Sequence, residues 1–247
     1  MIRAWIRKLM KRAQPARRRP CLAILCLEAL EERALPAVTW INPAGGDWDT
    51  ASNWSTGNVP GSSDDVVINL PGITVTHATS DTDAANSLTS SDPLVFSSGT
   101  LSLASASTIS SMLTLGGTIT GPGALTVTGM LSWTGGAMTG SGTTNANGGL
   151  VIGAADGSVH DETLDNTRIL NVMGTATWLS QPGGTVAASS TSIFNLLAGS
   201  TFDIPAGNSL TWTNGIINNA GTLTVEAGGG TTALDAVFTN QAQGSVQ

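Results

Sequence analysis

The chain has 247 residues, of which 11% are charged, 30 are glycine and none is tyrosine; an ordinary soluble domain is about 25% charged. So much Gly, Thr, Ser and Val disfavours long helices and suits many short strands joined by tight turns. Eight of the ten Lys and Arg fall in the first 19 positions, and after Ala37 a lone Arg168 faces fourteen Asp and Glu, a balance of −13 that argues against nucleic acid or an anionic membrane surface as a partner.

In chain order, the basic tract leads into "PCLAILCLEALEERALPA", residues 20–37. A basic start, a short apolar segment and a small-residue end at Ala37 read as a secretion signal. The apolar stretch, residues 21–27, is far shorter than the roughly 20 residues a bilayer requires, so no transmembrane helix is expected. Both cysteines, Cys21 and Cys26, lie within this segment, and the bulky Leu25 argues against lipid attachment at Cys26. A chain cleaved after Ala37 has neither disulfide nor thiol chemistry. Over about a dozen residues, "LEALEERALPA" resembles the N-terminal sorting signal of large surface and secreted proteins of planctomycete-type bacteria. That resemblance implies a secreted or cell-surface location.

Residues 38–93 are expected to hold an N-terminal cap and the first strands. Trp40, Trp48 and Trp54 lie close together amid dense turns, and "DDVVINL" then reads as an apolar strand. Asp47, Asp49, Asn53, Asp64 and Asp65 are oxygen donors of the type calcium takes. Their spacing is not that of an EF-hand loop, and the glycine-aspartate nonapeptide of calcium β-rolls is absent. They read as solvated turn groups, and no metal or cofactor is expected. His77 has no cluster of ligand-type residues around it in the sequence.

Residues 94–247 repeat a phrase. It appears as "GTLSL" at Gly99, "GALTV" at Gly123, "GGLVI" at Gly149, "GTATW" at Gly174, "GSTFDI" at Gly199, "GTLTV" at Gly221 and "GSVQ" at Gly244, on a nearly even beat. Asn147, Asn171, Asn195, Asn218 and Asn240 keep the same beat. A second row starts at Leu113, Leu131 and Leu210, alternating apolar and small polar residues as a half-buried strand does. A unit of about 24 residues with two or three strands is too short to be a domain but suffices for one coil of a solenoid. Seven coils about 4.8 Å apart give a section on the order of 30–35 Å, with the variation in period placed in loops on one edge. The fold expected is all-β, a right-handed parallel β-helix.

The recurring asparagines either form an axial amide ladder, as in cross-β stacks, or favour the left-handed turn before each strand. On the ladder reading, Asn195 and Asn218 face their neighbours along the axis as buried amides. Phe194 and Phe238 are expected inside, as are Trp133, Trp178 and Trp212, which occupy similar places in the second row. A tryptophan stripe can also stack on sugar, but core positions are the simpler reading. The phrases "WTGGAMTGSGTT", "FNLLAGSTFDI" and "INNAGTLTV" resemble bacterial β-solenoid surface proteins of the autotransporter-passenger and filamentous-adhesin type. The likeness spans about residues 94–247 and implies a solenoid fold with a structural or adhesive role.

Enzymatic solenoids form the alternative: a polysaccharide lyase or glycoside hydrolase, which needs carboxylates and a base. "HDETLDNTRIL" concentrates the charge of the body in His160, Asp161, Glu162, Asp165 and Arg168. A carboxylate pair there would suit glycoside hydrolysis. The simpler expectation is a loop leaving the coil with Arg168 paired to a neighbouring acid, and no catalytic residues. The expected partners are cell-surface glycans or envelope proteins. The final phrase, "FTNQAQGSVQ", reads as half a coil, which suggests a repeat array truncated at its C-terminus. It also suggests self-association through that last coil, where Val237 and Val246 would be exposed.

Overall fold

A computed structural model describes residues 36–154, 156, 158–179, 183–228 and 231–247. The expected secretion signal lies outside these residues, apart from its last two positions. The described chain is a parallel β-solenoid of about 8 turns with about 22 residues per turn. Each coil holds three short strands, one for each of three faces. The first complete coil consists of Asp65–Ile68, Val75–His77 and Thr82–Ala85, and the second of Ser87–Ser90, Leu94–Phe96 and Thr100–Leu103. Strands pair in parallel with their counterparts in adjacent coils. The ladders cross residue 94 without interruption, because Leu94 pairs with both Val75 and Leu113. Toward the C-terminus the third-face and first-face strands fuse into long elements, Thr211–Asn219 and Ala233–Asn240.

Alternation decides which side chains enter the core. On the second face, Leu94, Leu113, Leu131 and Leu150 stack in one inward row, and Phe96, Leu115, Trp133, Ile152 and Trp178 in the next. All are essentially inaccessible to solvent. A fully buried aliphatic or aromatic side chain contributes about 1.5–3 kcal/mol, so each coil is held by the layers above and below it. No coil could bury these rows alone. Trp212 is also buried but lies on the third face, in register with Val186, rather than in the row of Trp133 and Trp178. Phe194 is buried on the first face, followed by Ile217 and then the partly buried Phe238.

The period changes along the chain. Register partners on the first face are Val67, Thr89, Thr108, Thr126, Asn145, Asn171, Asn195, Asn218 and Thr239. The interval between partners is shortest from Thr89 to Asn145, lengthens abruptly between Asn145 and Asn171, and then shortens slowly again. The phrase-based beat is therefore correct only from Gly149 onward, where each glycine precedes a second-face strand. "GTLSL" belongs to the third face and "GALTV" to the first. The phasing fails there because all three faces use one small-residue-then-alternation pattern, so a strand of one face passes for a strand of another. The extra length of the later coils lies on one edge, between the second and third faces. Gly116 and Gly117 alone join Leu113–Leu115 to Thr118–Thr120, whereas the whole segment from Gly153 to His160 separates Leu150–Ile152 from Asp161–Leu164.

The N-terminal segment adds a partial coil, with Val38–Thr39 and Gly46–Asp47 pairing onto the first complete one. Trp40, Trp48 and Trp54 are buried there. The Trp54 ring meets Trp40 and Trp48 edge-on at 4.9 and 4.8 Å, and its Nε1–H donates to the Trp48 carbonyl at 2.7 Å. Trp48 also meets Phe96 of the second coil at 5.9 Å.

Candidate functional site

The core rows are apolar except at a few positions, and those positions gather the chemistry. His77 occupies the inward row that continues as Phe96, Leu115, Trp133, Ile152 and Trp178. Asp83 is in register with Leu101, Ile119, Met138, Leu164 and Ala188, the inward row of the third face. Two polar groups thus stand where later coils bury hydrocarbon. Asp49, from the N-terminal segment, joins them. Among the described residues these three form a group whose ligand atoms all lie within 4.8 Å of one another. The absence of any cluster around His77, expected from the sequence, is thereby corrected. One partner comes from the preceding partial coil and the other from the next strand, and coiling brings them together.

The His77 ring has no exposed side-chain surface. It stacks on Phe96 at 4.9 Å with the planes 17° apart. Its Nδ1–H donates to the Ser98 carbonyl at 2.9 Å, and Nε2 lies 2.7 Å from Asp83 Oδ2 and 3.8 Å from Asp49 Oδ2. Thr79 Oγ1 donates to that same Asp49 oxygen at 2.5 Å. A carbonyl only accepts, so Nδ1 carries a proton, and Nε2 shares a hydrogen bond with Asp83, whose own carboxyl is pushed up by burial and by the neighbouring Asp49. Burial opposes a charge on the ring, but the Asp83 hydrogen bond, the Ser98 carbonyl and the Asp49 charge outweigh it and raise the His77 pKa above the ordinary value.

The other acidic groups considered for calcium are engaged in turns. Asp47 Oδ1 accepts from the Asp49 N–H, and Asp64 Oδ2 from the Gly61 N–H. Asp65 Oδ1 accepts from Ser87 Oγ and Asn86 Nδ2, which lowers its pKa. Asn53 bridges to Asn42 and to the Asp47 carbonyl.

The charged stretch is built differently from the expected loop. Asp161–Leu164 is a third-face strand. Alternation turns Asp161 outward, where it accepts from Thr185, and Glu162 inward. Adjacent carboxylates on opposite faces of a strand do not form a hydrolytic pair. Glu162 is 1% exposed, between Gly136 and Val186, and its carboxylate makes no well-formed hydrogen bond, with only the Gly153 backbone close enough to favour its charged form weakly. Burial pushes its pKa up to about 8. His160 donates to the Thr134 carbonyl and meets Asp156 Oδ1 at 3.0 Å, and the Asp156 hydrogen bond raises its pKa.

Among the described residues, Arg168 does not pair with an acid. It is fully buried, and its guanidinium donates to Thr144 Oγ1 at 2.8 and 3.1 Å and to the carbonyls of Gly121 and Thr139. Gly121 and Thr139 belong to the two preceding turns between the third and first faces, and Thr144 to the first-face strand that follows the second of them. The arginine thus ties stacked corners together, and burial lowers its pKa to about 10.

The amide ladder is present, with three revisions. Asn218 donates to Asn195 at 2.9 Å, Asn195 to Asn171 and Asn171 to Asn145 at 2.8 Å, and Asn145 to Thr126 Oγ1 at 3.3 Å. Asn145 takes the place expected for Asn147, and Asn240 pairs with Asn219, one position along. The row also points outward and is half-buried, so it is not a core ladder. A hollow of about 320 Å³, lined by Ser190, Asn214, Gly215, Asp235, Ala236 and Val237, sits apart from all these groups. Among the described residues, no helix is long and apolar enough to cross a membrane.

Comparison with known proteins yields no match to a family model, to a curated sequence or to a solved structure.

Proposed function

We propose that this chain is a secreted or cell-surface repeat module with a structural or adhesive role and no catalysis of its own. The observation that carries this reading is the outward row of the first face. From Thr89 to Thr239 it presents Thr or Asn in every one of eight successive coils. Hydroxyls and amides spaced about 4.8 Å apart suit a repeating polymer, such as a cell-surface glycan, better than a single small molecule. The charged stretch supports the same reading, because its two strand carboxylates point to opposite sides of the sheet.

Self-association belongs to this proposal. The last first-face strand and Ser245–Val246 are paired on one side only, and Val237 and Val246 are more than half exposed. Such an edge is a template for another strand. The test is co-sedimentation of the chain with a panel of insoluble polysaccharides, with release of soluble sugar measured in parallel. Binding without release is the expected outcome. Release of oligosaccharide would overturn the non-catalytic assignment in favour of a carbohydrate-active enzyme. For secretion, the N-terminus of exported protein should lie near Val38, and intact cytoplasmic chain would count against it.

A further inference from the structure

We propose that Asp49, His77 and Asp83 form a binding site for a divalent cation of the zinc class, which fastens the N-terminal segment onto the first coil. In each later coil as far as Trp178 and Ala188, the positions matching His77 and Asp83 carry apolar side chains. Packing alone therefore does not call for an imidazole and a carboxylate here. Two carboxylates converge on one imidazole nitrogen here, and a divalent cation neutralises both where a single proton neutralises one.

The geometry suits such an ion. Ser98 accepts from Nδ1 and so fixes the ring orientation that leaves Nε2 as the ligand atom; metal-bound histidines are held by this same kind of second hydrogen bond. Zinc takes His nitrogen and Asp oxygen at about 2.0–2.2 Å in a tetrahedron, which sets ligand atoms about 3.4 Å apart. The separations of 2.7 and 3.8 Å from Nε2 bracket that value. The stack on Phe96 and the close approach of the Gly99 backbone fix the imidazole. The carboxylates of Asp49 and Asp83 are 18% and 12% exposed, which gives an ion a way in. Three protein ligands leave a fourth position for water. Calcium is the poorer fit, because it takes six to eight oxygens. An ion here replaces the Nε2 proton and joins the N-terminal segment to two consecutive strands of the first coil.

The experiment uses the full chain carrying Cys21→Ser and Cys26→Ser, so that thiolates do not compete, stripped with chelator and titrated with zinc alone. Calorimetry should show one ion per chain at micromolar or tighter Kd, and the melting temperature should rise with zinc but not with calcium. Asp49→Asn and Asp83→Asn should each weaken binding by at least about a hundredfold, whereas His160→Gln should leave it unchanged. Asp49→Asn alters a partly exposed side chain and keeps the test open if Asp83→Asn fails to fold. Nitrogen NMR of the parent gives a readout that needs no variant at the site: zinc should move the His77 Nε2 resonance. No uptake of zinc, uptake undiminished in Asp49→Asn, or an unmoved Nε2 signal would each overturn the site. Failure here leaves the adhesive reading intact, since the polysaccharide co-sedimentation is repeated with chelator present and reads glycan binding without the ion.

Discussion

Coils of residues 87–138 and coils of residues 143–225 solve the same stacking problem in two ways. The early coils are the shortest of the solenoid and turn on pairs such as Gly116–Gly117 and Gly135–Gly136. Backbone there lies directly against backbone of the neighbouring coil. A Cβ at Gly117, Gly121, Gly129 or Gly136 would fall under 3 Å from a carbonyl of the preceding coil. The later coils are longer, and side chains take over the joining: Arg168 across the corners and the asparagine row along the first face. A tight corner leaves no room for a side chain to carry a hydrogen bond, whereas a loose one requires it. The difference is one of degree, since Gly148 and Gly221 of the later coils also hold backbone against backbone, while Gly199 has open space around it.

The largest expected effect is at Gly136. Its φ of +67° is left-handed, and an added Cβ would press on the Gly117 and Gly116 carbonyls. Gly136→Ala should cost more than about 4 kcal/mol, combining the left-handed penalty with forced separation of two coils. Gly199 has a φ of +80° but nothing within 4 Å of an added Cβ. Gly199→Ala should cost only about 1–2 kcal/mol. Equal losses in chemical denaturation would erase the contrast between the halves.

Next is Arg168→Met, which removes a buried cation and leaves Thr144 and two carbonyls short of a donor. A loss of about 3–4 kcal/mol is expected. A variant as stable as the parent would show that hydrocarbon serves those corners equally well.

Glu162 should make stability depend on pH. Its folded pKa of about 8 lies above the ordinary 4.5, so the folded state holds a proton that the unfolded chain releases. The stabilisation is complete below about pH 4.5 and is lost progressively as pH rises toward 8. Glu162→Gln cannot ionise, so it should exceed the parent by about 2–3 kcal/mol at pH 8 and lose that advantage near pH 4. The difference between the two melting profiles is the measurement, and parallel profiles would mean that the carboxylate finds water.

The smallest effect is at the ladder. A buried amide would cost about 1–3 kcal/mol to orphan, but the row points outward and water can replace a lost partner. Asn218→Ala should therefore lower stability by only about 0.5–1 kcal/mol. A loss above about 2 kcal/mol would restore the buried ladder expected from the sequence.

Local pattern determined most of the architecture. Alternation over three or four residues, glycine at the corners and the absence of helix-forming runs specify short strands, and a repeat too small to bury its own core specifies stacking. The buried positions of Trp133, Trp178, Trp212 and Phe194 follow from that alternation alone. The axial asparagines were legible at Asn171, Asn195 and Asn218, where the period is steady, and misplaced at Asn147 and Asn240, where it shifts. Tertiary structure alone decided which face each strand joins, because strands of all three faces are written in one local pattern and only coil-to-coil register tells them apart. It also decided the surroundings of Arg168 and Glu162. A charge run in sequence looks solvated, yet strand alternation drives every second side chain inward whatever its charge. The His77 cluster is the clearest case. Asp83 lies six residues past His77, but Asp49 belongs to the preceding turn and meets them only because a parallel coil lays successive turns against one another, a relation that no window of local sequence contains.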